Sequence, residues 1–329
     1  MEEFPAMRIA YVEHPHHQKT NSTGFFIKEL ESLGHELVRI VRHAFNLEIA
    51  KEFDRLILFQ ADECIPIAVA ANKFTLVIPM LDESLMRNSG YFRVGKKIQF
   101  LSFSPNLHDF LELSGAKSYL VQYWPEPRAR SQDKNFNVFF WERTPIHVSA
   151  QDVYRWFKNM NPNYTVRRHL DPGQDLSQPV YSDFNSKAKV LDTDWLTHDQ
   201  YLDILEKAKV FIAPRRWEGI GLSSLEAMSM SIPVVGLASP TLSEYVENGV
   251  TGILIKDKFR SLPETDFDSL SDNLTKVLPG KHDLYRIQIT SALDSFFVSK
   301  ESRLPQRPAH AVIPNSMTLR HFLYLRNQN

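Results

Sequence analysis

Apolar and polar residues alternate in blocks along the first part of the chain. Short, continuous apolar runs predict buried strands at residues 8–12, 36–41, 55–60, 74–80, 98–102 and 118–122. Between several of these runs the apolar residues recur with a helical period, at residues 23–33, 62–72 and 107–113. Continuous apolar strands separated by helices indicate βαβ units and therefore a parallel sheet.

The pattern breaks at Trp124-Pro125-Glu126-Pro127, where two prolines precede a polar run that is typical of a linker. The α/β pattern then restarts, with strands predicted at residues 136–141, 164–168, 188–191, 210–213, 233–237 and 252–255. Helices are predicted between and after them, at residues 150–160, 198–208, 223–231, 242–248, 268–277 and 282–298.

The restart of the pattern predicts two doubly wound, Rossmann-like domains that face each other across a cleft. We place the first domain at residues 1–127 and the second at residues 128–300. A tail at 301–329 contains a final helix at 317–326 and is expected to pack back on the first domain. Ligands of such folds bind at the carboxyl ends of the parallel strands and between domains.

The length, net charge and cysteine content of the chain limit the classes of protein to which it can belong. The 329 residues suffice for two domains of about 150 residues each. Lys and Arg number 38 and Asp and Glu number 39, so the net charge of -1 gives no overall attraction to nucleic acid. Cys64 is the single cysteine, which excludes an internal disulfide and fits a reducing compartment.

The sequence predicts neither a membrane span nor a secretion signal. The acidic start, MEEFPAMRIAYVEH, lacks the apolar core of a signal peptide, and no run approaches the roughly 18 apolar residues that a span requires. We therefore expect a cytoplasmic protein. The basic helix predicted at 317–326 leaves a peripheral contact with the inner face of a membrane as an alternative to docking on the protein.

The segment 209–255 contains the residues that most clearly indicate a ligand-binding site. A strand runs into Pro214, a turn with Gly219 and Gly221 follows, and a helix begins near Leu222. The amides of the first helical turn have no partners within the helix, so they form a site for a phosphate, and the glycines allow the ligand to approach the backbone closely.

Two carboxylates flank this phosphate site. Glu218 lies in the turn and Glu226 lies about one turn inside the helix, eight residues later. That spacing does not place them side by side on one helical face, so they would address different parts of one elongated ligand. A carboxylate accepts two hydrogen bonds at once, which suits paired sugar hydroxyls. A diphosphate between two hydroxyl-bearing rings would match this series.

The segment resembles the donor site of the GT-B glycosyltransferases, specifically the large retaining family with a Glu-x7-Glu motif. Here the motif reads E-GIGLSSL-E, from Glu218 to Glu226. The resemblance implies that Glu226 holds the ribose of a nucleotide-sugar. It also implies that Glu218 and the amides of Ile220, Gly221 and Leu222 face the transferred sugar and the phosphates.

The resemblance is weaker elsewhere. Thr23 and Gly24 stand where the family has a loop that contacts donor and acceptor, although Gly24 is equally typical of a plain turn. Arg143 matches the family's phosphate-binding arginine, with a structural ion pair as the alternative. The loop 192–196, which contains Asp194, matches a position that lines the base.

The chain departs from the family pattern at two places. The family has a lysine a few residues after the arginine matched by Arg143, and this chain has none; Arg215 or Arg216 would supply the charge, since arginine suits phosphate. The family often has a histidine after the fourth strand, where residues 79–83 read PMLDE. Asp82 is the candidate for a catalytic or acceptor-binding role there, and a helix cap is the alternative.

We interpret the chain as a glycosyltransferase that moves a sugar from a nucleotide-diphosphate sugar to a hydroxyl of a glycan or a lipid-linked acceptor. The resemblance implies retention of configuration and catalysis without a metal or other cofactor. His14, His16 and His17 could suggest a metal site, but bunched loop histidines are more often exposed to solvent, and no second cluster supplies acidic ligands at metal spacing. We therefore expect no metal there. The alternatives are a non-catalytic nucleotide-sugar-binding subunit of another transferase, and an epimerase or hydrolase. A nicotinamide enzyme is disfavoured, because no G-x-G-x-x-G follows the first strand.

Overall fold

A computed structural model describes residues 6–129, 131, 136–143, 147–157, 165–170, 188–192, 196–257, 259–299 and 313–326. The chain divides into two compact units. Unit 1 comprises Met1–Tyr123 together with Tyr285–Asn329, and unit 2 comprises Trp124–Leu284.

Unit 1 is built on a parallel sheet with helices between the strands. The strands are β1 (Arg8–Glu13), β2 (Glu36–Val41), β3 (Arg55–Phe59), β4 (Phe74–Ile78), β5 (Ile98–Ser102) and β6 (Ser118–Leu120). The helices that accompany them are α1 (Pro15–Thr20), α2 (Gly24–Glu31), α3 (Leu47–Lys51), α4 (Ile65–Ala70), α5 (Leu81–Ser84) and α6 (Pro105–Leu113). The strand order is β2-β1-β3-β4-β5-β6, with all neighbours parallel.

The strands of unit 1 form where apolar runs can be buried on both faces of the sheet. Ile9 to Val12 of β1 and Leu56 to Leu58 of β3 are fully buried. The helices begin where polar side chains can cap them. Ser104 caps α6 by accepting a hydrogen bond from the Leu107 amide, and Pro105 stands at the first position of that helix.

Unit 2 repeats the same construction. Its strands are β7 (Phe136–Glu142), β8 (Val166–Leu170), β9 (Ala188–Asp192), β10 (Ala208–Ile212), β11 (Val234–Leu237) and β12 (Gly252–Ile255). Its helices are α7 (Ala150–Phe157), α8 (His198–Leu205), α9 (Leu222–Ser229), α10 (Leu242–Tyr245) and the start of α11 (Phe267–Val298). The order β12-β11-β10-β7-β8-β9 is again fully parallel. Both parallel α/β sheets predicted from the sequence are therefore present.

The two helices predicted at 268–277 and 282–298 are one helix, so the predicted interruption at residues 278–281 is wrong. The helix α11 runs from Phe267 to Val298 with Pro279 inside it. A proline within a helix removes one backbone hydrogen bond. Here Leu274 and Leu278 before the proline and Tyr285 after it are all buried, so packing on both sides holds the helix together.

The boundaries of the two compact units differ from those of the predicted domains. The second domain was expected to reach residue 300, whereas Tyr285 onward belongs to unit 1. The reason is that this part of α11 bonds to elements of unit 1. The Tyr285 hydroxyl donates to Glu29 Oε1 over 3.3 Å, Arg286 pairs with the same carboxylate, and the Gln122 amide donates to Gln288.

The C-terminal segment 313–326 packs on unit 1. Its helix, α12 (Leu319–Arg326), places Phe322 against Phe110 of α6 with ring centroids 5.6 Å apart, and Leu319 is fully buried. The Leu319 amide donates to the Arg87 carbonyl. Among the described residues, no helix combines the length and the apolar character needed to cross a membrane.

Candidate functional site

The candidate site of unit 2 lies where the strand order of its sheet reverses. The chain passes from β7 outward to β8 and β9, then returns to β10 on the other side of β7. Ligands of doubly wound sheets bind at this switch point, beyond the carboxyl ends of the strands. Arg143 follows β7 and the loop 213–221 follows β10, so the switch point brings these two predicted segments to one edge of the sheet.

The loop after β10 turns into α9 through Gly221. This glycine is in the left-handed conformation, with φ 68° and ψ 41°, which costs other residues free energy but not glycine. It occupies the N-cap position without a capping side chain, so the start of α9 presents backbone amides and the positive end of the helix dipole. The Thr241 hydroxyl fixes the loop by donating to the Glu218 carbonyl over 2.9 Å. The start of α9 therefore presents backbone amides where the sequence predicts an anion site, and anion binding itself stays a prediction.

A small pocket opens at this loop. Arg215 and Glu218 face each other across part of it, with Arg215 Nη1 3.8 Å from Glu218 Oε2. Both side chains are about one-fifth exposed, at 21% and 19%. The lining residues are Ala213, Arg215, Arg216, Glu218, Ile220, Gly221, Ser224, Leu225, Thr241, Leu242 and Tyr245. The cavity thus combines cationic, carboxylate and backbone groups.

Glu226 lies one turn farther along α9 and faces α8. Its Oε1 accepts a hydrogen bond from His198 Nε2 over 2.6 Å, and its side chain is only 13% exposed. A capping box, in which Thr197 and Gln200 satisfy each other's backbone amides, stabilises the start of α8, where His198 lies. The hydrogen bond to Glu226 raises the pKa of His198 above its ordinary value.

The hydrogen bond between Glu226 and His198 should have a measurable effect on the pKa of His198. Because Glu226 stabilises the protonated ring, the pair adds stability below the ordinary histidine pKa, and that stability is lost as the pH rises through the raised pKa. We expect Glu226→Gln to lower the pKa of His198 in an NMR titration of the histidine ring protons. Asp199 would still raise that pKa and Arg128 would still lower it. An unchanged pKa in the variant would contradict the assigned pair.

Aromatic residues connect Arg143 to the Glu226 side of the site. The Arg143 guanidinium lies over the Trp141 ring, 4.7 Å from its centroid. Trp141 contacts Tyr201 at 5.2 Å, and Tyr201 stacks with His198 at 6.4 Å between centroids. Burial raises the pKa of Tyr201, and Glu226 raises it further while Arg143 lowers it. Arg143 and Glu226 therefore act electrostatically on the same tyrosine.

Sequence comparison gives a family match for the segment that contains the loop 213–221, His198 and Glu226. Residues 183–278 match the family described as Glycosyl transferases group 1. The chain carries a glycosyl transferases group 1 region. A 60-residue stretch is 42% identical to the lipopolysaccharide core biosynthesis mannosyltransferase LpsB of Rhizobium meliloti, covering 18% of this chain and 17% of that protein. A stretch of 142 residues is 25% identical to the UDP-Gal:alpha-D-GlcNAc-diphosphoundecaprenol alpha-1,3-galactosyltransferase of Escherichia coli, covering 43% of this chain and 34% of that one. The matches thus span about a third or less of those relatives.

Solved structures share the fold over most of the chain. The structure of Anabaena HepE in complex with UDP matches with a TM-score of 0.59 at 12% identity, covering 88% of this chain and 100% of that one. The structure of AviGT4, a glycosyltransferase involved in avilamycin A biosynthesis, matches with a TM-score of 0.56 at 13% identity, covering 89% and 99%. The predicted fold class, GT-B with two Rossmann-like parallel α/β domains, is confirmed.

Within the group 1 region, the structure brings most of the predicted donor residues to one sheet edge. Gly219 and Leu222 belong to the same loop and helix start as Ile220 and Gly221, although they do not line the cavity. Asp194 falls outside the described residues. The roles of these residues toward a donor stay predictions.

The candidates in unit 1 lie at the ends of β1 and β4. Thr23 is buried, and its hydroxyl donates to the buried Glu13 carboxylate over 3.0 Å, so this side chain supports the loop from within. Gly24 begins α2, and a Cβ there would lie 2.7 Å from Nδ2 of the Asn21 side chain, which would have to move aside. Asp82 lies in the first turn of α5, where its Oδ1 accepts from the Glu83 amide over 3.0 Å.

Sequence reasoning missed His198, Trp141 and Tyr201. The capping pattern Thr197 to Gln200 was a signal for the start of α8, but nothing in the sequence shows that α8 and α9 meet at His198 and Glu226. Trp141 ends an apolar run and resembles a core residue. These contacts depend on the packing of elements that are distant along the chain.

The histidines after β1 differ from the expected exposed loop. Residues Pro15–Thr20 form a short helix, α1, which begins after His14 because His14 Nδ1 accepts from the His16 amide. His17 bonds through both ring nitrogens, to Ser22 and to Gln60. Among the residues that the structure describes, no group of three or more His, Cys, Asp or Glu is arranged to hold a metal ion.

Proposed function

We propose that the protein is a glycosyltransferase that binds a nucleotide-diphosphate sugar in unit 2 and transfers the sugar to a hydroxyl of a glycan or a lipid-linked acceptor. The observation that carries the proposal is the switch-point site, where the amide-rich start of α9 lies beside Arg215, Arg216 and Glu218. The glycosyl transferases group 1 match of residues 183–278 covers this site.

Each part of the site suits one part of the proposed donor. The α9 amides and the arginines suit the diphosphate, because helix N-termini and guanidinium groups both favour anions. Glu226 suits the ribose, because a carboxylate accepts hydrogen bonds from neighbouring hydroxyls. Glu218 lies in the loop before the helix and suits the transferred sugar. Along the chain, Glu218, the start of α9 and Glu226 follow one another in the order of the sugar, the diphosphate and the ribose in a nucleotide-sugar.

The same groups would assist the reaction. Negative charge develops on the diphosphate as the bond to the sugar breaks, and preorganised amides and arginines stabilise such charge without the cost of reorganising water. We propose that Arg143 contributes to this stabilisation together with Arg215 or Arg216. We further propose transfer with retention of configuration, catalysis that is independent of a metal ion, and no cofactor beyond the donor substrate.

The relatives support the choice of acceptor class. One is named as a transferase of lipopolysaccharide core biosynthesis and the other as acting on a diphosphoundecaprenol-linked sugar. We propose a related acceptor for this chain, a growing glycan or a lipid-linked glycan. We also propose that the protein works in the cytoplasm, with contact to a membrane surface, where it occurs, limited to a peripheral one.

A non-catalytic nucleotide-sugar-binding subunit is the second candidate. It is favoured by the absence of the family's lysine after Arg143 and of its histidine after β4. The two candidates differ in one measurable respect, which is release of nucleoside diphosphate when a saccharide acceptor is added to the donor complex. A transferase releases it and a binding subunit does not.

We expect Glu218→Gln to separate donor binding from transfer. The amide keeps the shape of the side chain but removes its charge, and loss of one charge-assisted hydrogen bond to the sugar is expected to slow transfer by about tenfold. Stabilisation by the nucleoside diphosphate alone should be nearly unchanged. The measurement is release of nucleoside diphosphate with acceptor present, with and without EDTA. Equal rates for wild type and variant would contradict the role of Glu218, and a rate abolished by EDTA would contradict metal independence.

A further inference from the structure

Glu226, the second carboxylate of the motif, is held by one basic side chain of unit 2. Its Oε1 accepts a hydrogen bond from His198 Nε2 over 2.6 Å. The side chain of Glu226 is 13% exposed, whereas that of His198 is 54% exposed. Among the described residues, no lysine or arginine lies within 4.0 Å of this carboxylate. His198 is therefore the group that can set the orientation of Glu226 and balance its charge.

Two contacts in register join the helices that carry this pair. His198 is the first residue of α8 and Tyr201 lies one turn later, while Ser223 and Glu226 lie one turn apart on α9. The Tyr201 hydroxyl donates to the Ser223 carbonyl over 3.5 Å, one turn along from the bond between His198 and Glu226. Residues three apart lie on one face of a helix, so α8 and α9 meet at both positions. The pair is thus fixed by the packing of two helices.

The charged groups around His198 favour its protonated ring. The hydrogen bond to Glu226 raises the pKa of His198 most, burial lowers it, and the Glu226 charge raises it further. Of the remaining neighbours, Asp199 raises this pKa and Arg128 lowers it, and the net direction is upward. Burial raises the pKa of Tyr201, so the ring stacked on His198 stays neutral. The proton of His198 therefore leaves at a pH above the ordinary value for a histidine.

The protonation state of His198 changes how firmly the Glu226 carboxylate is held. A hydrogen bond between an imidazolium and a carboxylate is stronger than one from a neutral ring, although the neutral ring can still donate through Nε2. With Oε1 held by His198, Oε2 stays able to accept from a ligand. A carboxylate that is already ordered does not lose side-chain entropy when a ligand binds. The protonated ring also attracts an anionic ligand such as a diphosphate. Both effects favour binding when His198 is protonated.

We propose that His198 is a positioning residue for the Glu226 carboxylate, and that its proton makes the contribution of the ribose hydroxyls to nucleotide binding dependent on pH. This inference rests on the proposed function, because it takes Glu226 as the group that accepts from the ribose. It adds a residue outside the motif and a regulation of the donor site by pH. Nucleotide binding is strongest below the raised pKa of His198 and weakens as the pH rises through it.

The test measures what the ribose hydroxyls contribute to binding. UDP, GDP and ADP are each compared with their 2′,3′-dideoxy counterparts by calorimetric titration of the full chain. The ratio of the two Kd values isolates the hydroxyls, because both ligands carry the same base and the same diphosphate. The terminal phosphate titrates in both ligands, so its effect cancels in the ratio. The ratio is recorded from about pH 6 to about pH 9, where a histidine with a raised pKa loses its proton.

In the wild type we expect the ratio to fall as the pH rises. For the ribonucleotide that binds most tightly, we expect it to bind about 30-fold more tightly than its dideoxy counterpart at about pH 6, and about tenfold more tightly at about pH 9. The decrease reflects the change from a charge-assisted hydrogen bond between His198 and Glu226 to a neutral one. A ratio that stays constant with pH, or that increases, overturns the role of the His198 proton.

Two substitutions of His198 separate positioning from packing. His198→Gln supplies an amide that can donate to Glu226 but does not titrate, so we expect a ratio of about ten at every pH. His198→Ala removes the donor, and we expect a ratio of about three at every pH. His321→Gln is the matched control, because it replaces an exposed histidine of unit 1 and should keep the pH dependence of the wild type. Equal ratios in His198→Ala and His198→Gln overturn the positioning role.

The outcomes distinguish this inference from the proposed function. A wild type that binds ribonucleotides and dideoxynucleotides equally well overturns the inference, while nucleotide binding in unit 2 still stands. A His198→Ala variant with the ratio and the pH dependence of the wild type does the same. A folded wild type that binds none of the three nucleotides overturns the proposed function, and the inference falls with it.

Discussion

Replacing Glu226 with alanine is expected to weaken the binding of nucleotide-sugars by about 10- to 100-fold. A hydrogen bond to a charged group contributes roughly 1.5–3 kcal/mol, and Glu226 would make two such bonds to the ribose. The side chain is 13% exposed and is held in place by His198, so little rearrangement is required when a ligand binds. The measurement is a thermal-shift titration of UDP-, GDP-, ADP- and dTDP-sugars against wild type and variant.

The wild type should respond to one base more than to the others, and the response should disappear in Glu226→Ala. A ligand that binds only the folded state at 100 times its Kd stabilises it by about 2.7 kcal/mol, which a thermal shift detects readily. Glu264→Ala is the control, because Glu264 is an exposed carboxylate of the same unit. Stabilisation that persists in Glu226→Ala would contradict ribose binding. A folded wild type that no nucleotide-sugar stabilises would contradict a donor site in unit 2.

The sequence predicts both sheets because their strands are apolar runs that are buried on both faces. The apolar runs at 8–12 and 55–60 coincide with β1 and β3 almost residue by residue. The prediction at 164–168 is less accurate, since β8 is Val166–Leu170 and includes polar residues. Arg168 and His169 are buried there. Arg168 pairs with Glu142 of β7 and the His169 ring packs against Trp141 of β7, and no local pattern shows these contacts.

The residues within the segment 209–255 were more predictable than the contacts between segments that are distant along the chain. Glu218, Gly221 and Glu226 fall within one continuous segment whose spacing itself carries the information. The hydrogen bonds of His198 with Glu226 and of His17 with Gln60 join residues that are 28 and 43 positions apart in the sequence. Periodicity places each residue on an element, but the register of neighbouring elements decides which side chains meet.

The largest expected loss of stability comes from Arg168→Met. Arg168 and Glu142 form an ion pair whose side chains are only 8% and 5% exposed, and Arg168 Nε donates to Glu142 Oε2 over 2.7 Å. Removal of the arginine leaves a buried carboxylate without its cation, which costs about 3–5 kcal/mol. For a unit of this size we expect the melting temperature to fall by roughly 10 °C. The measurement is urea and thermal unfolding of the full chain.

The matched control is Arg260→Met, which removes an arginine of unit 2 that is 84% exposed and lies 3.5 Å from Asp257. An exposed pair contributes little, so this variant should change stability by less than about 0.5 kcal/mol. If Arg168→Met were as stable as Arg260→Met, the buried pair would not contribute to the stability of unit 2.

A double variant tests the physical cause of the loss. Glu142 Oε1 also accepts from the Ala150 amide at the start of α7, so Glu142→Gln keeps an acceptor there while it removes the charge. We therefore expect Arg168→Met with Glu142→Gln to be more stable than Arg168→Met alone, because no buried charge remains unpaired. A double variant no more stable than the single one would assign the loss to packing of the arginine side chain.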